Sequence, residues 1–177
     1  RTSHFVADSE FIRKALVGFG VRQDRITVCY GPAPRRPAPP PVSLPEPSVR
    51  PDAFRFVYAG QITRKKGVDL LLDAFRSVAE RQQNVHLLIA GPISEWAGHA
   101  WARELRQRAV GIASLAGRVH FLGFVENVPD LMRQCHVHVA PSVWEEPYGL
   151  VTVEAKQAAI PSIIFPRGGM QERVENG

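Results

Sequence analysis

Phe54-Arg55-Phe56-Val57-Tyr58-Ala59-Gly60 is a short apolar run that stops at a glycine, and the residues after it change period. From Lys66 to Arg81, the apolar Val68, Leu71, Leu72, Phe75, Val78 and Ala79 recur three or four apart, which places them on one face of a helix. Val85-His86-Leu87-Leu88-Ile89-Ala90 is a second apolar run, closed by Gly91. Strand, glycine turn, helix, strand is a βαβ unit, so its strands are parallel and its crossover right-handed. The pattern continues through Val119-His120-Phe121-Leu122, Val137-His138-Val139-Ala140 and Ser162-Ile163-Ile164-Phe165, with helical stretches over 95–115, 128–134 and 149–158 between them. The fold class predicted is α/β, a doubly wound parallel sheet. Ligands of such sheets gather at the carboxyl ends of the strands, where Gly60, Gly91, Gly123, Pro141 and Pro166 fall.

Working outward, residues 32 to 51 hold nine of the fifteen prolines, a composition that favours extended polyproline chain over packing. Residues 32–53 therefore read as a linker. Ahead of it, His4-Phe5-Val6-Ala7 ends a strand, Ser9 is a helix N-cap, Glu10 to Phe19 is a short helix closed by Gly20, and Ile26-Thr27-Val28-Cys29 is another strand. Residues 1–31 are too few to form a domain and read as the tail of one lying upstream, with 54–177 as the domain proper.

Composition narrows the function classes. With 45% apolar and 22% charged residues the chain is ordinary for a soluble globular protein. Cys29 and Cys135 stand far apart and outside any C-x-x-C pair, so neither a disulfide framework nor a zinc ribbon is expected. No apolar run is long enough to cross a bilayer and the N-terminus lacks the succession of a secretion signal, from which a cytoplasmic location is expected. The net charge of +5 suits anionic partners, but the cations are scattered and not interleaved with aromatics on one helix, so nucleic acid is not the expected partner.

The densest chemistry follows the strand at Val137–Ala140: Ala140-Pro141-Ser142-Val143-Trp144-Glu145-Glu146-Pro147-Tyr148-Gly149-Leu150-Val151-Thr152-Val153-Glu154-Ala155. A helix starting near Gly149 or Leu150 offers the unpaired N–H groups of its first turn, and its dipole, to a phosphate without help from a metal. Glu146 on the loop and Glu154 in the second turn then stand on the two sides of that phosphate, each able to accept hydrogen bonds from hydroxyls. Two sugars flanking a diphosphate fit this arrangement. For an arbitrary pair of glutamates, a solvated loop residue and a favourable helix-terminal charge would be the simpler explanation.

Glu146-Pro147-Tyr148-Gly149-Leu150-Val151-Thr152-Val153-Glu154, with seven residues between the glutamates, resembles the donor-site signature of glycosyltransferase family 4 (group 1). The likeness runs from about residue 54 to the C-terminus. Gly60 to Gly67 resembles the family's first donor-domain turn, Gly123-Phe124-Val125 its turn near the base, and Gly168-Gly169-Met170-Gln171-Glu172 its Gly-Gly-x-x-Glu. More loosely, Ala7 to Phe11 and Arg25 to Val28 look like the close of the family's acceptor domain. The resemblance implies a Rossmann-like domain, the donor-binding half of a two-domain GT-B enzyme, here cut before its last strand and helix. It further implies a retaining transfer of a sugar from a UDP-, GDP- or ADP-sugar to a glycan or lipid acceptor. Neither cofactor nor metal is implied. Contact with a membrane surface would be made through the missing N-terminal domain.

Carried over by position, Glu146 binds hydroxyls of the transferred sugar as the catalytic carboxylate and Glu154 the ribose. The amides of Gly149, Leu150 and Val151, with Lys66, meet the diphosphate; Tyr148 is a further donor-binding residue; Gly123, Phe124 and Val125 meet the base; Gly168 and Gly169 let the backbone approach the donor. Gly60 and Gln61 belong to the first turn, where the family usually has Arg in place of Gln61; Arg64 or Lys65 is the expected compensation. That departure keeps a degenerate nucleotide-sugar-binding module in view, beside a nucleotide-sugar epimerase of like architecture. Cys135, His136 and His138 lack further metal ligands, Trp96 and Trp101 read as packing, and His86 and His120 as core or sheet-edge residues.

Overall fold

The computed structural model describes residues 4–31, 40–45, 49–93 and 99–175. Five strands form the main sheet: β3 (Phe54–Ala59), β4 (Val85–Ala90), β5 (Val119–Gly123), β6 (Val137–Ala140) and β7 (Ser162–Ile164). Their order is β5-β4-β3-β6-β7 and every pairing is parallel. The chain therefore starts at the sheet's centre, builds outward through β4 and β5, then crosses back to the other side of β3. Between β3 and β6 the winding reverses, and the crevice beyond their carboxyl ends is where a doubly wound sheet takes its ligand.

Alternation along the strands feeds two cores. Tyr58, Leu87 and Ile89 face α2 (Val68–Arg81) and α3 (His99–Gly111), packing with Leu71, Leu72, Phe75, Trp101 and Leu105. Val57, Leu88 and Ala90 face the opposite way, towards α4 (Val128–Arg133) and α5 (Leu150–Gln157), with Leu131, Met132 and Ala155. All six residues of β4 are buried, as a strand covered on both faces must be. A smaller parallel pair, β1 (Phe5–Ala7) with β2 (Ile26–Val28), is joined by α1 (Glu10–Gly18), whose N-cap Ser9 accepts from the Ile12 amide at 3.2 Å.

Three expectations need correcting. The helix begins at Val68, not Lys66: Arg64–Lys66 form a 3₁₀ turn that the left-handed Gly67 separates from α2. The third helix ends at Gly111, before the expected 115; it is described from His99, and residues 94–98 lie outside the described residues. The proline-rich stretch is not a free spacer where the structure describes it. Val49 and Ala53 are buried in the second core, and the Val42 amide donates to Asp130 at 2.8 Å while its carbonyl accepts from Gln134 at 2.8 Å. Its described apolar residues join the second core, between the sheet and α4. Residues 32–39, 46–48 and Trp96 lie outside the described residues.

Candidate functional site

Above the β3–β6 switch point, the start of α5 forms the floor of a two-lobed cleft. Gly149 is the N-cap, with φ 76°, and offers the helix no side-chain cap; the Thr152 amide donates to the Gly149 carbonyl at 2.9 Å, which leaves the Leu150 and Val151 amides to face an anion. A Cβ at Gly149 would stand 2.9 Å from the Met170 side chain, so the left-handed turn and the tight packing both call for glycine. Two cavities of about 260 Å³ each meet here and share Ala59, Gly60, Gln61, Leu150 and Val151 in their walls.

One lobe is polar. Lys66, Ser142, Glu146, Tyr58 and Met170 line it beside the shared floor. The Glu146 side chain is only 13% exposed, forms an ion pair with Lys66, and accepts from the Ser142 hydroxyl at 2.7 Å. Tyr58 donates its hydroxyl to the Gln61 carbonyl at 2.7 Å, which fixes the turn after β3. Burial, and then the charge of Glu146, push the Tyr58 phenol well above its ordinary range, so it stays protonated and a donor. The other lobe is largely apolar: Pro92, Phe124, Val125 and Val128 line it, and Glu154 is its carboxylate. Phe124 is 71% exposed, an aromatic face left at the cleft mouth.

Of the residues singled out in the sequence, Gly60, Gln61, Lys66, Glu146, Gly149, Leu150, Val151, Phe124, Val125 and Glu154 line one lobe or both. Others lie elsewhere. Arg64 sits over the Trp101 ring at 5.3 Å and Lys65 over Trp144 at 4.1 Å, so neither lines the cleft. The cause is the 3₁₀ turn, with three residues per turn, which sends successive side chains about 120° apart and leaves one of the three cations facing inward. Gly123 uses its carbonyl to accept from the Gly91 amide at 2.7 Å. Gly168 and Gly169 pack on the Glu146 loop instead of lining the cleft. A Cβ at Gly168 would meet the Glu146 carbonyl at 2.3 Å, and the Gly169 amide donates to that carbonyl at 2.6 Å. Tyr148 turns away too, its hydroxyl donating to the Gly31 carbonyl and its ring lying 4.0 Å from the Arg173 guanidinium.

Sequence reasoning assigned no role to Ser142 or Tyr58. The signal for Ser142 was its place just beyond β6, at the carboxyl end where ligands gather. The histidines serve the sheet: His136 accepts from the Arg55 amide at 3.0 Å and stacks on Phe54, while His86 and His120 contact each other at 2.9 Å. Among the described residues no group of three or more His, Cys, Asp or Glu could hold a metal ion, and no helix is long and apolar enough to cross a membrane.

Comparison with known proteins bears on the family and the fold. The lipopolysaccharide core biosynthesis mannosyltransferase LpsB of Rhizobium meliloti is 32% identical over 119 residues, covering 67% of this chain and 33% of that protein. Mannosylfructose-phosphate synthase of Agrobacterium fabrum is 30% identical over 122 residues, covering 67% of this chain and 26% of that protein. The structure of Anabaena Alr3699/HepE in complex with UDP and glucose superposes with a TM-score of 0.78 at 25% identity, over 99% of this chain and 47% of that one. The chain thus spans a quarter to a third of these curated relatives and about half of the solved structure. A family model described as "Glycosyl transferases group 1" matches residues 53–177, and the chain belongs to that family, with the Rossmann-like parallel sheet of a GT-B fold.

Proposed function

We propose that this chain is the donor-binding half of a retaining glycosyltransferase that moves a hexose from a nucleotide diphosphate to an acceptor hydroxyl without a metal. One observation carries the reading: Glu146 and Glu154 line adjoining lobes whose shared wall includes Leu150 and Val151, in the first turn of α5. A diphosphate on that turn places the transferred sugar in the polar lobe and the ribose in the other. The flat apolar walls by Phe124 and Val125 then receive the base.

Charge develops on the leaving diphosphate as the glycosidic bond breaks. Fixed helix amides and the Lys66 ammonium oppose it in place of a metal, which is electrostatic preorganisation. Lys66 is already paired with Glu146, so an arriving phosphate meets a cation whose position is set. Glu146 keeps an acceptor for the sugar's hydroxyls and orients the anomeric carbon. That UDP and glucose occupy the Anabaena protein supports a UDP-sugar as donor. The acceptor would be held by residues outside this chain, in the cytoplasm or at a membrane face.

Calorimetric titration of the 177-residue chain with UDP-, GDP- and ADP-sugars in EDTA tests the proposal. Saturable binding of one of them is the result expected, with no sugar transfer by the chain alone. Binding that requires a divalent metal, or no binding at all, would overturn it. Gln61 favours a second reading, a binding module without turnover, since the family usually has Arg there. Robust turnover by a longer form carrying Gln61 would exclude it.

A further inference from the structure

Residues 4–31 are fastened to the Glu146 loop by a single cluster of side chains. The Glu172 carboxylate accepts from the Glu10 and Phe11 amides, each at 2.9 Å, and so caps the first turn of α1; it also accepts from the Tyr30 hydroxyl at 2.9 Å. Arg173 lies between two rings, 4.1 Å from Tyr30 and 4.0 Å from Tyr148, and donates to the Asp8 carbonyl at 2.7 Å. Ser9 donates to the Pro147 carbonyl at 2.5 Å, and Tyr148 to the Gly31 carbonyl.

Pro147 and Tyr148 directly follow Glu146, whose own carbonyl is held by the Gly169 amide at 2.6 Å. The loop presenting the Glu146 carboxylate is therefore gripped along its backbone from two directions, by residues 168–173 and by residues 8–31. None of the residues in this cluster lines the Glu154 lobe.

We propose that Glu172 and Arg173 are positioning residues, which lock the α1 segment onto Pro147 and Tyr148 and thereby set the Glu146 carboxylate for the donor's sugar. The inference rests on the donor reading above and adds to it a link between the upstream segment and one lobe only. Three donors converge on one carboxylate, and hydrogen bonds to charged groups are the strong ones. Removing that carboxylate frees the turn of α1 and the Tyr30 hydroxyl together, and the loop loses its backing.

The test is the ratio of two affinities, measured by calorimetry on the 177-residue chain with UDP against UDP-glucose, and GDP against GDP-mannose. In Glu172→Ala the nucleotide sugar loses about tenfold while the free nucleotide stays within about twofold. Glu172→Gln, which keeps one acceptor oxygen, recovers part of the loss. Tyr30→Phe removes one of the three donors, keeps the ring on Arg173, and shows a smaller loss in the same direction. It carries the comparison even if Glu172→Ala does not fold. Wild-type binding with unchanged ratios in the variants would overturn this inference and leave the donor reading standing, as would equal losses for both ligands. No wild-type binding would end both.

Discussion

The two lobes of the cleft share a floor but not a chemistry. Around Glu146, an ammonium and a hydroxyl already engage the carboxylate, and the backbone behind it is tied to distant parts of the chain. Around Glu154, the walls are proline, valine and phenylalanine, and the carboxylate rides on α5 itself. On the proposed reading, one helix start serves two ends of a ligand. A loop carboxylate held by partners suits the end that reacts; a helix-borne carboxylate beside flat apolar surface suits the end that is only recognised.

The largest effect expected is at the recognised end. Glu154→Ala should weaken UDP and UDP-glucose alike, by about a hundredfold, because hydrogen bonds from ribose hydroxyls to a charged acceptor are worth about 1.5–3 kcal/mol each. Calorimetry with both ligands measures it, and a loss confined to UDP-glucose would reverse the assignment of the lobes. Glu146→Ala comes next. UDP-glucose should lose about tenfold, whereas UDP holds or gains a little because Lys66 is released from its carboxylate partner and turns wholly to phosphate. Equal loss for both ligands would break the comparison.

Gln61→Arg acts on the shared floor and should strengthen both ligands by about threefold to tenfold, with the gain shrinking as salt is raised. An unchanged affinity would show that the turn after β3 does not face the diphosphate. The smallest effect on the lobes is a control by pH. Burial pushes His138 down to about 4 from its ordinary 6.5, so the unfolded chain takes its proton first as pH falls. Stability is complete above about pH 6.5 and declines towards pH 4, read as a falling Tm; His138→Leu should flatten that slope while leaving the ratio of the two affinities intact.

Much of this was legible in the residues. The apolar periods of 54–90 and their repeats located each strand of the main sheet, because a strand buried on both faces reads as a continuous apolar run. Glu146 and Glu154, on either side of the glycine that opens α5, both line the cleft. What the sequence hid depended on contacts between distant segments. Arg64, Lys65 and Lys66 look alike in a row, and only the 3₁₀ turn decides which faces inward. The close packing of Gly168 on the Glu146 backbone, and of Gly169 on Pro147, joins segments about twenty residues apart. The packing of Val49 and Ala53 against the sheet was masked by the prolines around them.

A crystal structure of the chain with UDP decides whether the start of α5 holds a diphosphate between the two carboxylates. Diphosphate oxygens are expected about 3 Å from the amides at Leu150 and Val151, with the ribose against Glu154 and the terminal phosphate turned towards Lys66. UDP bound away from the start of α5, or lying there with its ribose in the Glu146 lobe, would contradict the proposed function.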